Sequence, residues 1–413
     1  MKRVVKLYMR VYSITMTRNI PTPLESTKDG LQIWGWDEQA ESPVSAYVHI
    51  PFCRHRCGYC NFSLLANRDD LFDRFLSALA VELSKLEIPR QVETLFLGGG
   101  TPSILPQDRM DRLLSLLNHW LPLSSQGEWT IEANPLDISD SFCEHICSRG
   151  INRISIGGQS FQPTKLIRLE RDHSPQELMQ SVERSLKYFS SVSLDLIFGA
   201  PNETFSGWQT DLQTAIDLGV HHLSTYGLTF EKGSRFWGMR ERHELESIPE
   251  ELELSMYEEA IDRLIGAGFE HYEISNFAMP SHRCRHNQSY WLGHSWWAFG
   301  PSAARFVGGT RSVNHRGTLE YIRRIEQNRS AIHETERLSN AQRVREKFVF
   351  GMRQLEGVNW TAMRLEAEPS VATAIDAAIE KHIAGGWLMR ESERIRLTRA
   401  GLFVSDALWG DYL

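Results

Sequence analysis

The chain has 413 residues, 45 Lys and Arg against 52 Asp and Glu, and a formal net charge of −7. That length predicts two or more domains, and 41% hydrophobic residues suffice for packed cores, so nothing points to disorder throughout. The acidic balance, without a dense Lys/Arg block, argues against nucleic acid as the main partner; no window is long enough for stable membrane insertion, and six cysteines without a signal peptide read as reduced thiols of a cytoplasmic protein.

Residues 1–44 read as an uninformative arm. Met1 to Ile20 scatters Lys and Arg among apolar residues, as a transit peptide or an amphipathic surface helix would, while Met9 and Met16 leave room for a later start. From residue 45, short apolar runs alternate with helical stretches. The strands fall at Ala46 to Ile50, Val92 to Leu97, Trp129 to Glu132, Arg153 to Ile156, Ser193 to Phe198 and His222 to Leu228. Helices fall at Leu71 to Leu86, Met110 to Leu121, Ser139 to Ser148, Pro175 to Phe189 and Trp208 to Leu218. Such alternation predicts an α/β core over 45–270, a parallel sheet forming a partial (β/α)6 relative of the TIM barrel, with closure left open. An extension over 271–337 and a C-terminal module over 338–413 follow.

The first predicted strand runs into Cys53-Arg-His-Arg-Cys57-Gly-Tyr-Cys60-Asn-Phe62. Three thiols at this spacing can converge on one iron-sulfur cluster but cannot complete a four-thiolate set, so one iron stays open, as reduction of S-adenosylmethionine requires. The alternative is a zinc knob of Cys53, Cys57, Cys60 and His55. Arg54, His55 and Arg56 would lower the thiol pKa values, or are merely solvated. Cys143 and Cys147, four apart on one helix face, read as core.

Other polar residues gather at strand ends, where parallel α/β folds place their sites. Gly98-Gly99-Gly100-Thr101-Pro102 offers close backbone approach and free amides, or is only a tight turn. Glu132 suits an amino or ribose group, or a rim salt bridge. Asp195 sits in an apolar run and needs a donor, for which a cofactor hydroxyl or Arg171 would serve. Tyr226 is as readily packing as binding.

The cysteine loop resembles the CxxxCxxC signature of radical-SAM enzymes, and Tyr47-Val48-His49-Ile50-Pro51-Phe52 before it narrows the resemblance to the coproporphyrinogen-dehydrogenase-like branch. The resemblance implies a [4Fe-4S] cluster on Cys53, Cys57 and Cys60, and S-adenosylmethionine against Tyr47, Tyr59, Gly99, Gly100, Thr101, Glu132, Gln159, Arg171 and Asp195. That branch usually has Gly where this chain has Glu170. Farther on, His286-Asn-Gln-Ser-Tyr290-Trp291 resembles the HNxxYW segment of HemW-type heme chaperones. It implies that His286 serves heme, with Tyr290, Trp291, Trp296 and Trp297 as shields; read without the family, His286 is a hydrogen-bonded structural histidine and the aromatics are core. His282, Cys284 and His294 are further candidate ligands. The oxygen-independent coproporphyrinogen III dehydrogenase carries a fourth cysteine where this chain has Phe62, which favours the chaperone group. Many relatives have His where Ala304 stands, which weakens a role for that position.

From about Leu338, helix, helix, ribbon and helix resemble the family's C-terminal winged-helix-like module. The helices are read at Arg343 to Arg353, Ser370 to Ala384 and Thr398 to Trp409, with the ribbon over Trp387 to Leu397. The implied function is a heme chaperone that binds heme and passes it to acceptor hemoproteins, without coproporphyrinogen oxidase activity, and a homo-oligomer is compatible with it. The rival is the dehydrogenase of porphyrin biosynthesis, whose adenosyl radical abstracts a propionate hydrogen before decarboxylation. A third reading is a radical-SAM enzyme with another substrate.

Overall fold

A computed structural model describes residues 42–413, so all but the end of the arm read over 1–44 lies outside the described residues. Six strands run parallel and adjoin one another in chain order: β1 (Ser45–Ile50), β2 (Val92–Gly99), β3 (Leu123–Ala133), β4 (Arg153–Gln159), β5 (Ser191–Phe198) and β6 (His222–Gly227). Between them run α1 (Phe72–Ser84), α2 (Gln107–Trp120), α3 (Asp140–Ser148), α4 (Pro175–Tyr188) and α5 (Phe205–Asp217). Caps define several of these starts. Ser174 and Glu177 form a capping box on α4, and Ser139 and Thr204 cap α3 and α5 with their hydroxyls.

Strand alternation separates two environments. Ala46, Val48, Ile50, Leu95, Leu97, Trp129, Ile131, Ile154, Ile156, Leu194 and Leu196 join the hydrophobic core. The intervening positions are largely polar: Tyr47 and His49, Thr94, Glu128, Thr130 and Glu132, Arg153 and Ser155, Ser193 and Asp195, His222, Ser224 and Tyr226. The barrel therefore has a greasy outside under its helices and a polar lumen, which a parallel barrel filled only for stability would not have.

The barrel stays open. Beyond β6, and after α6 (Glu250–Gly266), come β7 (Glu270–Glu273) and β8 (Asn276–Ala278), with β8 antiparallel to β6. After α7 (Arg285–Trp291), β9 (Trp296–Phe299) pairs parallel with the free edge of β1, and β10 (Ala304–Val307), β11 (Thr310–Asn314) and β12 (Ile332–Arg337) continue antiparallel. One 12-stranded sheet results. Residues 271–337, read from the sequence as an extension, supply strands to both edges of that sheet. None of these strands was read from the sequence, because they are short and interrupted by Gly, Asn and His.

The C-terminal region packs α8 (Asn340–Gly351) and α9 (Pro369–Ala384) around a small antiparallel sheet of Val358–Asn359, Leu388–Glu391 and Arg394–Leu397. The helix expected over Thr398 to Trp409 is broken into Arg399–Leu402 and Ser405–Leu408. The break lets the chain end fold back under α8, where the Tyr412 ring lies 4.7 Å from Phe348 and its carbonyl accepts from Arg345 (2.7 Å). Backbone hydrogen bonds from Ile274 to Arg353 and from Leu355 to Tyr272 tie this module to the barrel.

Glu82 of α1 fastens the added strands to the barrel. Its buried carboxylate accepts from the Gly300 amide (2.8 Å), Tyr321 hydroxyl (2.7 Å), Asn314 amide (2.7 Å) and Arg305 guanidinium (3.2 Å). Removing one partner of a buried pair strands the other charge, at about 3–5 kcal/mol. Arg305→Met is therefore expected to lower the urea unfolding free energy by about that amount, and a loss below about 1 kcal/mol would show that the remaining donors suffice.

Candidate functional site

The cysteine loop leaves the C-terminal end of β1 and is clipped at both ends. Leu65 donates to the Pro51 carbonyl (2.8 Å) and Asn67 to the Cys53 carbonyl (3.1 Å). Inside the loop, Arg56 donates to the carbonyls of Phe62 (3.0 Å) and Leu64 (2.8 Å), so it braces the loop rather than floating as a solvated charge. Arg54 pairs with Asp137. His55 donates through Nε2 to the Glu170 carbonyl (2.5 Å), with Cys57 Sγ 3.5 Å from the same nitrogen.

The three thiols differ in environment. Burial pushes Cys53 up to about 12 and also raises Cys60. Burial acts the same way on Cys57, but His55 and Arg171 beside it outweigh burial and hold its thiol below the usual range. Cys53 Sγ lies 3.2 Å from the Thr101 hydroxyl, and Arg171 Nη1 lies 3.5 Å from Cys57 Sγ. Among the described residues no three His, Cys, Asp or Glu side chains close on a single metal ion. With its donor nitrogen already spent on Glu170, His55 does not complete the zinc knob. Three free thiols in a cationic, partly desolvated loop instead fit a group that takes three thiolates and keeps one metal open.

Arg171 joins the loop to the barrel. Its Nη2 donates to the Gly157 carbonyl (2.6 Å), while Nε is buried with no hydrogen-bond partner, a donor left for a further ligand. Arg171 does not bond Asp195, one of the partners considered for that acid; Asp195 instead accepts from Ser155 (3.2 Å). A register shift between Ile156 and Gln159 bulges β4, and Gln159 adopts a positive φ of 70°, with its side-chain nitrogen directed toward the Gly157 side of the mouth. Glu170, where the branch usually has Gly, takes a left-handed φ of 57° and pairs with Arg235. The departure in sequence thus keeps the glycine-like backbone, at a cost of about 1–2 kcal/mol.

The glycine segment does something different from what was expected. The Gly99 amide donates to Glu132 (2.9 Å), the Gly100 amide to the Ile50 carbonyl (2.9 Å) and the Thr101 amide to the Phe52 carbonyl (2.7 Å). None is free for a ligand. The glycines serve shape instead: Gly99 has φ 106°, and a Cβ there would strike the His49 ring, while one on Gly100 would strike the Ile50 and Phe52 carbonyls. His49 was not singled out in the sequence, although it shares a strand face with Tyr47. Its Nε2 donates to the Ser63 carbonyl (2.7 Å) and its Nδ1 accepts from Tyr47 (3.1 Å), and burial lowers it to about 4.

Tyr47, Glu132, Asp195 and Tyr226 share the lumen, with Tyr59 above them packed 6.4 Å from Phe236. Burial, with Asp195 nearby, pushes Glu132 up to about 8, and burial also raises Asp195. Two acids in a low-dielectric lumen suit a cationic guest.

His286 is not brought to this mouth. It lies on α7 at the opposite end of the barrel, fully buried, with Nδ1 bonded to Thr94 (2.9 Å), Nε2 bonded to Tyr290 (2.8 Å) and its ring stacked 5.0 Å from Phe96. Both nitrogens are occupied, and burial near Arg153 lowers it to about 3. As an iron ligand it is therefore corrected to the structural histidine that the residues alone suggested. Cys284 is likewise buried, its thiol 3.7 Å from Glu128 and pushed up to about 12. Trp291 and Trp297 are core residues, whereas Tyr290 and Trp296 are half-buried. Glu128 caps α7 by accepting from the amides of Arg285 (3.0 Å) and His286 (3.1 Å).

An open parallel barrel with a three-thiol loop at its C-terminal mouth defines the radical SAM class, and the model of the Radical SAM superfamily matches residues 47–215. The HemN C-terminal domain matches residues 338–404. Heme chaperone HemW of Bacillus subtilis is 31% identical over 375 residues, 89% of this chain and 99% of that protein. Radical S-adenosyl methionine domain-containing protein 1, mitochondrial, of Danio rerio is 32% identical over 380 residues, covering 88% of this chain and 86% of its own. The solved coproporphyrinogen III oxidase HemN of Escherichia coli superposes with a TM-score of 0.80 over 90% of each chain at 21% identity, which shows the shared fold. The chain belongs to the HemW-like heme chaperone family of radical SAM proteins. Membership implies a [4Fe-4S] cluster and S-adenosylmethionine.

Two outcomes follow for the mouth. Cys53→Ser, Cys57→Ser or Cys60→Ser should each abolish cluster assembly, read as iron and sulfide after anaerobic reconstitution, while Cys143→Ala, far off in the core, should retain it. Full occupancy in any of the three loop variants would remove that thiol from the ligand set. For Glu132, raised to about 8 by burial, the carboxylate that would receive a cofactor ammonium forms only as pH climbs toward that value. S-adenosylmethionine affinity should thus rise from pH 6 to 8, by at most about tenfold per unit, and Glu132→Gln should flatten the dependence. A slope that persists in the variant would assign it to another group.

Proposed function

We propose that the protein is a heme chaperone that binds heme and transfers it to acceptor hemoproteins, with Cys53, Cys57 and Cys60 holding the cluster and S-adenosylmethionine seated in the lumen mouth. The observation that carries this reading is the relationship to Heme chaperone HemW over 99% of that relative's length. Phe62 supports it from within the chain, since it stands where the oxygen-independent dehydrogenase has its fourth cysteine.

When bound, the cluster and cofactor together supply one-electron chemistry at the open iron. The chain's own groups do the positioning. Arg171 offsets the charge of the Cys57 thiolate and has Nε left to donate. Glu132 and Asp195 present acids to the cofactor's cationic end, and the Gly99–Gly100 segment, packed against His49 and the Ile50 and Phe52 backbone, holds Glu132 in place through the Gly99 amide. The same reading includes a cytoplasmic location, a place beside porphyrin biosynthesis as a consumer of its end product, and self-association of the chain. No helix among the described residues is long and apolar enough to cross a membrane.

Heme and, separately, coproporphyrinogen III added to the anaerobically reconstituted protein distinguish the chaperone from the dehydrogenase. Saturable heme binding, heme transfer to an apo-hemoprotein and no release of carbon dioxide are expected. Decarboxylation of coproporphyrinogen III with only nonspecific heme uptake would overturn the reading.

A further inference from the structure

The buried His286 is the first ring of an aromatic ladder that leads out of the barrel. Tyr290 stands edge-on to His286 (5.0 Å) and to Trp296 (4.8 Å), and Trp296 lies 5.5 Å from Phe306. Trp296 is fixed by its indole hydrogen bond to the Ala304 carbonyl (2.7 Å). The ladder ends in the wall of a cleft of about 480 Å³ between β9–β10 and the first helix of the C-terminal module, α8, with Phe350 also contributing to its lining. That volume is within the range of sites for cofactor-sized ligands.

The cleft is also lined by charged side chains. Arg311, Arg343 and Lys347 line it against Glu346 and Glu366, and Glu336 pairs with Arg311 from behind, so the charges balance and only Arg343 is left without an acidic partner among the described residues. Arg311 is engaged by Glu346 and Glu336, and Lys347 lies 3.1 Å from Glu366. Arg343 is exposed and makes no ion pair among the described residues. An aromatic wall of Trp296 and Phe306 with the Arg343 guanidinium exposed at its edge matches an aromatic macrocycle that carries carboxylates. In the chain, between the lining residues Gly293 and Ser295, comes exposed His294, which does not itself line the cleft and whose ring is free of the buried hydrogen bonds that occupy His286.

Resting on the heme-chaperone reading, we infer that the tetrapyrrole binds in this cleft between the sheet and α8. One face lies against Trp296 and Phe306, its propionates meet Arg343 and Lys347, and His294 in the adjoining loop is the iron ligand. His286 and Tyr290 are positioning residues that hold the Trp296 wall. This site is remote from the thiol loop: Thr94, which bonds His286, is five residues down β2 from Gly99, a rise of roughly 16 Å. Bound there, heme is carried out of reach of chemistry at the cluster.

The test uses the full reconstituted chain with two probes, heme and iron-free protoporphyrin IX. Arg343→Glu combined with Lys347→Glu should weaken both probes tenfold or more with cluster content unchanged, since both side chains lie toward solvent. His294→Ala should alter the Soret spectrum of bound heme while leaving protoporphyrin affinity intact. His286→Ala should weaken both probes together, without the spectral change. If the unaltered protein binds heme saturably and the charge-reversed variant binds within twofold of it, the cleft is overturned and the chaperone reading stands. A changed iron spectrum in His286→Ala but not in His294→Ala also overturns the cleft. Failure of the unaltered protein to bind heme overturns both.

Discussion

Everything at the mouth depends on how one guanidinium is satisfied. Arg171 cannot be left in a partly desolvated loop without acceptors, and it finds them in the Gly157 carbonyl and the Cys57 sulfur. The first of those acceptors exists because β4 bulges at Gly157–Gly158, and the second because the cysteine loop is folded back by Arg56. Through Arg171 the loop, the bulge and the Glu170 turn are one unit, so the thiols are held in place by the barrel and not by the loop alone. His55 reinforces that unit by bonding the Glu170 carbonyl.

Much of this was legible in the sequence. The parallel strands, their helices and the cysteine spacing all follow from local periodicity and from residue types with few other uses. What was not legible depends on contacts between distant segments. The antiparallel strands β7 to β12 are short and gain their identity from the sheet edges they meet. The amides of Gly99 to Thr101 looked available because the sequence does not show that Glu132, Ile50 and Phe52 already accept from them. His286 is the sharpest case. A histidine beside aromatics suggests a ligand, but Thr94, some 190 residues earlier, takes one nitrogen, and only the fold brings it near.

Two buried charge networks lie at junctions between segments. Glu82 joins α1 to the added strands, and Lys165 bridges Glu203 and Asp211 where the loop after β4 meets α5. Each network is fully internal, so each fixes one relative placement of its segments and penalises the rest. The C-terminal module is attached by backbone hydrogen bonds around residues 272–274, by Arg353 over the Trp291 ring, by Phe403 against Tyr257 and by the exposed Arg399–Asp262 pair, and its apolar residues join the barrel's core.

At the far end of the barrel, Glu128, Cys284, His286, Arg153 and His222 are all buried, and α7 sits across the opening with its first amides on Glu128. That end of the lumen is therefore closed, and a guest that enters from the thiol-loop side leaves on that side, so a second guest seated above it delays its release. A guest bound over S-adenosylmethionine would trap it, and inhibition patterns for two such guests should be those of an ordered, not a random, sequence.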